Sequence, residues 1–230
     1  MAGQGGEHRA QQRGTPGQAF LSVGEGGMEA VHAMQGYSEL HYLHSSSGAE
    51  INVESMREVI EAIREQTGRM PFVVVDYLQK VRAAAPSGDR RQTAQLSEDD
   101  RITEVVEGLK DMALDLKPPA LALAAVDKSG LAVATRTRVQ DLCRSSALAH
   151  ETDIVLILNN KFDVVARHHL MYNTSNAEQF HHWVVMSVEK NRNGVDNVDL
   201  GYRKRFEHSM FDAEGGRVQE ELIDDRVFVD

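Results

Sequence analysis

The sequence predicts an α/β fold, a mostly parallel sheet extended at one edge by antiparallel C-terminal hairpins. Three observations carry this expectation. Phe72-Val73-Val74-Val75 is an unbroken apolar run of the kind a parallel sheet buries on both faces. On either side of it, apolar residues recur at helical spacing. Beyond Lys161 the texture changes to short apolar segments around Asn193-Gly194, a turn signal between antiparallel strands. Strand, helix, strand, loop and strand in succession is the order of an α/β fold.

Taken in order, Leu40, Tyr42 and Leu43 form a short apolar stretch that reads as a buried strand. Val53, Met56, Val59, Ile60 and Ile63 make one helical stripe, with Gly68 as its stop. The Phe72–Val75 strand follows, and then a stretch over 83–95 with Pro86, Gly88, Arg90 and Arg91 that reads as a mobile loop. Ser97, with Asp100 three residues on, resembles a capping box. It opens a helix striped by Ile102, Val105, Val106, Leu109, Met112, Ala113 and Leu116, which Pro118-Pro119 ends. Leu121–Val126 and Ile154–Leu158 read as further buried strands. Val164-Val165, Trp183–Val188 and Val198–Leu200 read as hairpin strands.

A chain of 230 residues has room for one domain with a sizeable core. Hydrophobic residues at 41% and charged residues at 26% give the balance of a soluble globular protein. No apolar run approaches the roughly 18 residues of a membrane span, and Met1 to Arg13 lacks a signal-peptide core. A cytoplasmic protein with no membrane partner is expected. Cys143 is the single cysteine, which excludes an internal disulfide. The net charge of -10 excludes a protein that coats nucleic acid with its whole surface, but leaves room for a local basic loop. Residues 1–36 are rich in Gly, Gln and small side chains and are expected to be disordered. Residues 37–230 then make the ordered domain.

Asp76 directly follows the Phe72–Val75 run. A carboxylate at the carboxyl end of a buried parallel strand lies where open α/β sheets bind ligands. An ordinary strand ending in a surface Asp is the plainer alternative. His168-His169 and His181-His182 suggest a metal site, yet neighbours on a strand face opposite ways, so no such site is expected. Cys143 stands beside Arg144 without an evident histidine, which argues against a nucleophile.

Longer patterns point to a family. Asp76-Tyr77-Leu78-Gln79 has the form this strand end takes in DnaB-type replicative helicases. The helix from Ile102 to Leu116 with Pro119 after it is similar to the family's next helix and strand. Asp141-Leu142, Ser145, Ala147-Leu148 and Glu151-Thr152-Asp153-Ile154-Val155 resemble its Asp-Leu-Arg-x-Ser-Gly stretch and the strand beyond. Glu189-Lys190-Asn191-Arg192-Asn193-Gly194 resembles its Lys-x-Arg-x-Gly segment, and Phe206-Glu207 stands where such chains carry Arg-Phe-Glu. The resemblance runs from about Leu40 to Phe211.

What the resemblance implies is a partial RecA-like P-loop NTPase core from a hexameric, ATP-driven ring that translocates along single-stranded DNA. Asp76 would be the Mg²⁺ partner of bound ATP. Lys190 and Arg192 would be the arginine-finger segment, reaching the γ-phosphate held by a neighbouring subunit, where cations stabilise charge on the transferred group. A charged hairpin flank is the plainer alternative. In the loop that approaches DNA, the family's Arg position is Cys143 and its Gly position is Ser146, with Arg144 one residue along. Arg144 and Ser146 are therefore the candidate DNA contacts, and Arg136 and Arg138 are nearby alternative sources of positive charge.

The sequence also departs from the family. A P-loop needs Gly-x-x-x-x-Gly-Lys-Ser/Thr, whereas the first lysine is Lys80, after the Asp76 strand, and Gly24, Gly26 and Gly27 are followed by Met28. The catalytic glutamate has no counterpart, and Ala124-Ala125 replaces a polar Ser-Gln pair. Three readings stay open: a P-loop in an upstream part, a degenerate relative that works through assembly, and a chain that lends Lys190 and Arg192 to a complete subunit. The alternative function is thus a non-catalytic RecA-fold interaction protein. No DNA unwinding is expected of the isolated chain.

Overall fold

The computed structural model describes His32, Tyr42, Leu43 and residues 51–83, 97–126, 135–142, 146–171 and 174–224. The chain divides into two units, Met1–Ser47 and Gly48–Asp230. In the first, Tyr42 and Leu43 are exposed and lack regular structure, so neither lies in the strand expected there; Leu40 lies outside the described residues. The loop expected over 83–95 likewise lies outside them beyond Ala83. The second unit holds all the elements described below.

Helix α1 (Val53–Thr67) starts at Asn52, whose side chain accepts from the Ser55 N–H at 2.9 Å while the Ser55 hydroxyl accepts from the Asn52 N–H at 3.1 Å. This reciprocal cap satisfies two otherwise orphaned donors. Gly68 stops the helix with φ 67, and its N–H donates to the Arg64 carbonyl at 2.8 Å. Helix α2 (Glu98–Leu116) starts at Ser97, whose hydroxyl accepts from the Asp100 N–H and donates to its carboxylate. Glu98, Asp99 and Asp100 set negative charge at its positive end. Its buried stripe is Ile102, Val105, Val106 and Met112, as the spacing predicted. Met112 meets Val53 and Ile60 of α1, which joins the two helices.

Strand β1 (Val73–Val75) pairs in parallel with β2 (Ala120–Ala122), with Val74 opposite Leu121. The ladder runs past both ends: the Val73 N–H donates to Pro119 O, and the Leu78 N–H donates to Leu123 O. Helix α3 (Ser146–Glu151) leads into β3 (Ile154–Asn160). Three short helices follow, α4 (Lys161–Val164), α5 (Arg167–Met171) and α6 (Thr174–Phe180). Next come β4 (Trp183–Asn191), β5 (Val198–Arg205), β6 (Met210–Phe211) and β7 (Gly216–Arg217).

The mostly parallel sheet predicted from the sequence is not what forms. β1 and β2 make a parallel pair, whereas the main sheet, in the order β3-β4-β5-β6 with β7 on β5, is antiparallel. The apolar run Ile154–Leu158 makes a strand, as expected, but one buried only at alternate residues, and such a run does not encode the direction of its partner. Here the chain leaves β3 through α4, α5 and α6 and returns as β4 running the opposite way. Val164-Val165 is also corrected. Val164 closes α4, Val165 makes one bridge to Leu222, and both are fully buried.

One core links both sheets to the helices. Val75 and Leu78 from the β1 end, Ile102, Val105 and Val106 from α2, Leu148 from α3, and Val155 and Ile157 from β3 pack together. The opposite face is apolar as well and lies open: Val74, Leu121, Leu123, Ile154, Leu156 and Leu158 are each at least 44% exposed.

Candidate functional site

Asp76 follows β1 in chain order and is exposed, while Val75 before it and Leu78 after it are buried. Two backbone bonds fix its neighbours: the Leu123 N–H donates to Val75 O at 2.9 Å and the Leu78 N–H donates to Leu123 O at 2.8 Å. Gln79 adds a third tie. Its Nε2 donates to Ala125 O at 2.9 Å and its Oε1 accepts from Ala125 N–H at 3.1 Å. A side-chain amide thereby stands in for one rung of the ladder and staples the Asp-Tyr-Leu-Gln turn to the segment after β2. The Asp76 carboxylate has no hydrogen-bond or ion-pair partner among the described residues, so its lone pairs are free for a cation. The sequence has no phosphate cradle, and Asp76 is the residue at this strand end that could ligate a metal.

Lys190 and Arg192 lie at and just past the end of β4. The Lys190 Nζ donates to the Ala149 carbonyl at 2.6 Å and to the His150 carbonyl at 3.1 Å. Arg192 donates through NH2 to the His150 carbonyl at 2.6 Å and through NH1 to Asp153 at 3.3 Å. Both cations thus sit on the last carbonyls of α3, the electronegative end of a helix. Lys110 reaches in from α2 and donates to both Asp153 carboxylate oxygens, at 2.9 and 3.0 Å. Burial, with the Arg192 charge next, holds the Lys190 ammonium below its ordinary pKa. The Lys110 hydrogen bond holds the Asp153 carboxyl below the ordinary carboxylate range. A Cβ at Gly194 would stand 2.5 Å from the Asn191 side-chain nitrogen, so a larger residue there would displace that amide.

Arg144 lies outside the described residues; Ser146 opens α3, with its side chain likewise outside them. The two alternative cations nearby are committed elsewhere. Arg136 is buried and donates to Ser187 Oγ at 2.9 Å and to Asp199. Arg138 donates to Glu189 at 2.8 Å and to Asp224 at 2.7 Å. Burial alone would lower its pKa, but those two carboxylates raise it above the ordinary value. Both arginines are held by carboxylates, Arg136 by Asp199 and Arg138 by Glu189 and Asp224, which leaves them less available as alternative sources of positive charge.

The histidines are not on adjacent strands as expected. His168 and His169 lie on α5, and His181 and His182 lie in the turn after α6. His181 stacks on Phe162 at 3.7 Å, and His169 Nε2 accepts from the Glu221 N–H. No hydrogen bond or ion pair among the described residues joins Asp76 to Lys190 or Arg192, so the chain does not bring its two candidate elements into direct contact. Lys110 and the role of Asp153 are not legible in the sequence, for Lys110 sits on a helix face with nothing to mark a partner 43 residues away. The only signal was that Asp153 belongs to the Glu151-Thr152-Asp153 stretch already matched to the family.

A model of the DnaB-like helicase C terminal domain matches residues 25–211. The chain belongs to that family. The match begins upstream of Leu40, where the resemblance in the sequence starts, and takes in part of the segment expected to be disordered. Among curated relatives, the Replicative DNA helicase DnaB of Rickettsia bellii (strain RML369-C) is 26% identical over 166 residues, covering 64% of this chain and 32% of that protein. The same-named protein of Geobacillus stearothermophilus is 24% identical over 158 residues, covering 68% of this chain and 31% of that protein. The chain therefore spans about a third of the length of the curated relatives it matches. A solved structure described as an ATPase domain superposes with a TM-score of 0.62 at 19% identity, covering 84% of this chain and 62% of that one. A DnaB-like replicative helicase, solved in a study of its interactions with primase, gives 0.59 at 18% identity, over 77% and 39%. This DnaB-like chain thus has the fold of helicase ATPase domains. No helix among its described residues is long and apolar enough to cross a membrane.

Proposed function

We propose that this DnaB-like chain is a helicase ATPase module that works between subunits of a ring on single-stranded DNA. Lys190 and Arg192 are its finger, directed to the γ-phosphate of ATP held by a neighbouring subunit. The observation that carries this reading is the gathering of Lys110, Lys190 and Arg192 around Asp153 at the α3 end, a concentration of positive charge beside a surface turn. Cations set in such a place stabilise charge on a transferred phosphoryl group.

On the other side of the module, the free Asp76 carboxylate is suited to hold Mg²⁺ of a Mg²⁺–ATP complex, directly or through water. When bound, that ion neutralises charge on the phosphate oxygens. No hydrolytic step is assigned to this chain's own site, because the sequence has no P-loop to cradle those phosphates. Arg144 and Ser146 are proposed to face DNA. A second reading, a non-catalytic interaction protein of the same fold, is favoured by the open apolar face around Leu156 and Leu158, which suits packing against another polypeptide.

The test is ATP turnover by a P-loop-bearing DnaB-family subunit whose own finger residues are alanine, with this chain added. Turnover restored by the parent chain and lost with Lys190→Ala or Arg192→Ala supports the module. Assembly without restored turnover supports the interaction protein.

A further inference from the structure

Asp153 holds Arg192 in two ways. Its backbone carbonyl accepts from the Arg192 N–H at 2.9 Å, and its carboxylate accepts from NH1 at 3.3 Å. The same carboxylate is gripped by Lys110, on both oxygens, from the core helix α2. The two halves of this arrangement differ in tightness. The Lys110 side chain is 18% exposed and bonds at 2.9 Å, whereas the Arg192 side chain is 46% exposed and bonds at 3.3 Å. A solvated pair of the second kind is weak, so NH1 can exchange it for a more highly charged anion while NH2 stays on the His150 carbonyl at 2.6 Å. The Lys110 contact stays behind and keeps the carboxylate in place.

Charge gives the second strand of the argument. Lys110, Lys190 and Arg192 all act on Asp153, and Arg192 and Lys110 both disfavour the charge on Lys190. Remove the carboxylate and three cations face one another beside the α3 carbonyls. Arg192, the most exposed of the three, would then keep only its bond from NH2 to the His150 carbonyl and lose its second side-chain anchor.

We infer that Asp153, anchored by Lys110, is the positioning residue of the finger segment: it sets the resting direction of Arg192 and screens it from Lys110 and Lys190. The inference rests on the proposed finger role of Lys190 and Arg192. It is tested with full-length chains carrying Asp153→Asn or Asp153→Glu.

The first readout is ¹⁵N relaxation of the Arg192 guanidinium, measured well below the melting temperature so that only folded protein reports. Asp153→Asn is expected to loosen Arg192, and Asp153→Glu to restore much of its order. The second readout is turnover by the finger-deficient P-loop subunit. There Asp153→Asn is expected to lower kcat by about tenfold, as misplaced catalytic groups do, with KM for ATP unchanged and Asp153→Glu intermediate. Unchanged Arg192 order in Asp153→Asn overturns the inference, as does parental kcat. If the parent chain itself restores no turnover, the finger reading fails, and the relaxation measurement still decides whether Asp153 positions Arg192.

Discussion

Gln79 offers a quantitative test of how the Asp76 strand end is built. Its amide makes two bonds to one residue, donating to Ala125 O at 2.9 Å and accepting from Ala125 N–H at 3.1 Å. Each such bond contributes about 0.5–1.5 kcal/mol net. Because Ala125 is exposed and water competes, Gln79→Ala is expected to cost about 1–2 kcal/mol, near the lower half of the summed range. Gln79→Glu is the sharper probe. A carboxylate keeps the acceptor for Ala125 N–H but turns its second oxygen on Ala125 O, at the position now 2.9 Å away. At neutral pH it should therefore cost more than alanine, about 2–3 kcal/mol. Protonation restores a donor, so the folded-state pKa of the new carboxyl lies above its unfolded value. Stability lost above that pKa then returns as pH falls through it. The assay is a thermal melt at pH 7 and at pH 4. For a domain of this size 1 kcal/mol corresponds to about 2–4 °C, so Gln79→Glu should melt about 4–12 °C low at pH 7 and should recover part of that at pH 4. A Gln79→Glu protein as stable as the parent at pH 7 would refute the stapled strand end.

Three further outcomes follow from the same geometry. Arg136→Ala removes the buried cation between Ser187 and Asp199 and leaves only their mutual hydrogen bond, so urea unfolding should show a loss of about 2–4 kcal/mol, less than for a fully buried pair because Asp199 is 30% exposed. Asp153 has a lowered folded pKa, so its contribution is present above the ordinary carboxyl value and fades as pH falls through the lower folded one. Asp153→Asn should therefore flatten the acid limb of a melting profile, by under about 1 kcal/mol since the pair is largely solvated. On the DNA-facing reading, Arg144→Ala should lower the salt slope of single-strand binding by about 0.7, the amount expected for one phosphate contact. Arg138→Ala, whose charge is spent on Glu189 and Asp224, should leave that slope unchanged.

The local signals in the sequence were reliable where the physics is local. The Ser97 cap, the Gly68 stop and the stripe of Ile102, Val105, Val106 and Met112 each depend on residues within a few positions, and each is present. The Asn193-Gly194 turn is local too, because the space for Gly194 is set by Asn191. Strand direction was not legible. Ile154–Leu158 reads the same whether its neighbour is parallel or antiparallel, and the path through α4 to α6 decides it. The ion pairs of Arg136 and Arg138 were not legible for a related reason: whether an arginine is free depends on Asp199, Glu189 and Asp224, all distant in sequence. The family motifs brought Asp76, Lys190 and Arg192 to notice. They gave no hint of Lys110, whose importance arises only when α2 packs beside the start of β3.

We propose that this chain supplies the metal side and the finger side of a DnaB-like nucleotide site without the phosphate cradle. Titration of the purified chain with a fluorescent ATP analogue and Mg²⁺, alongside Asp76→Ala, tests it most directly. No micromolar binding is expected of either protein alone. Micromolar binding that weakens in Asp76→Ala would contradict it, for a complete nucleotide site would then stand in this chain without a P-loop.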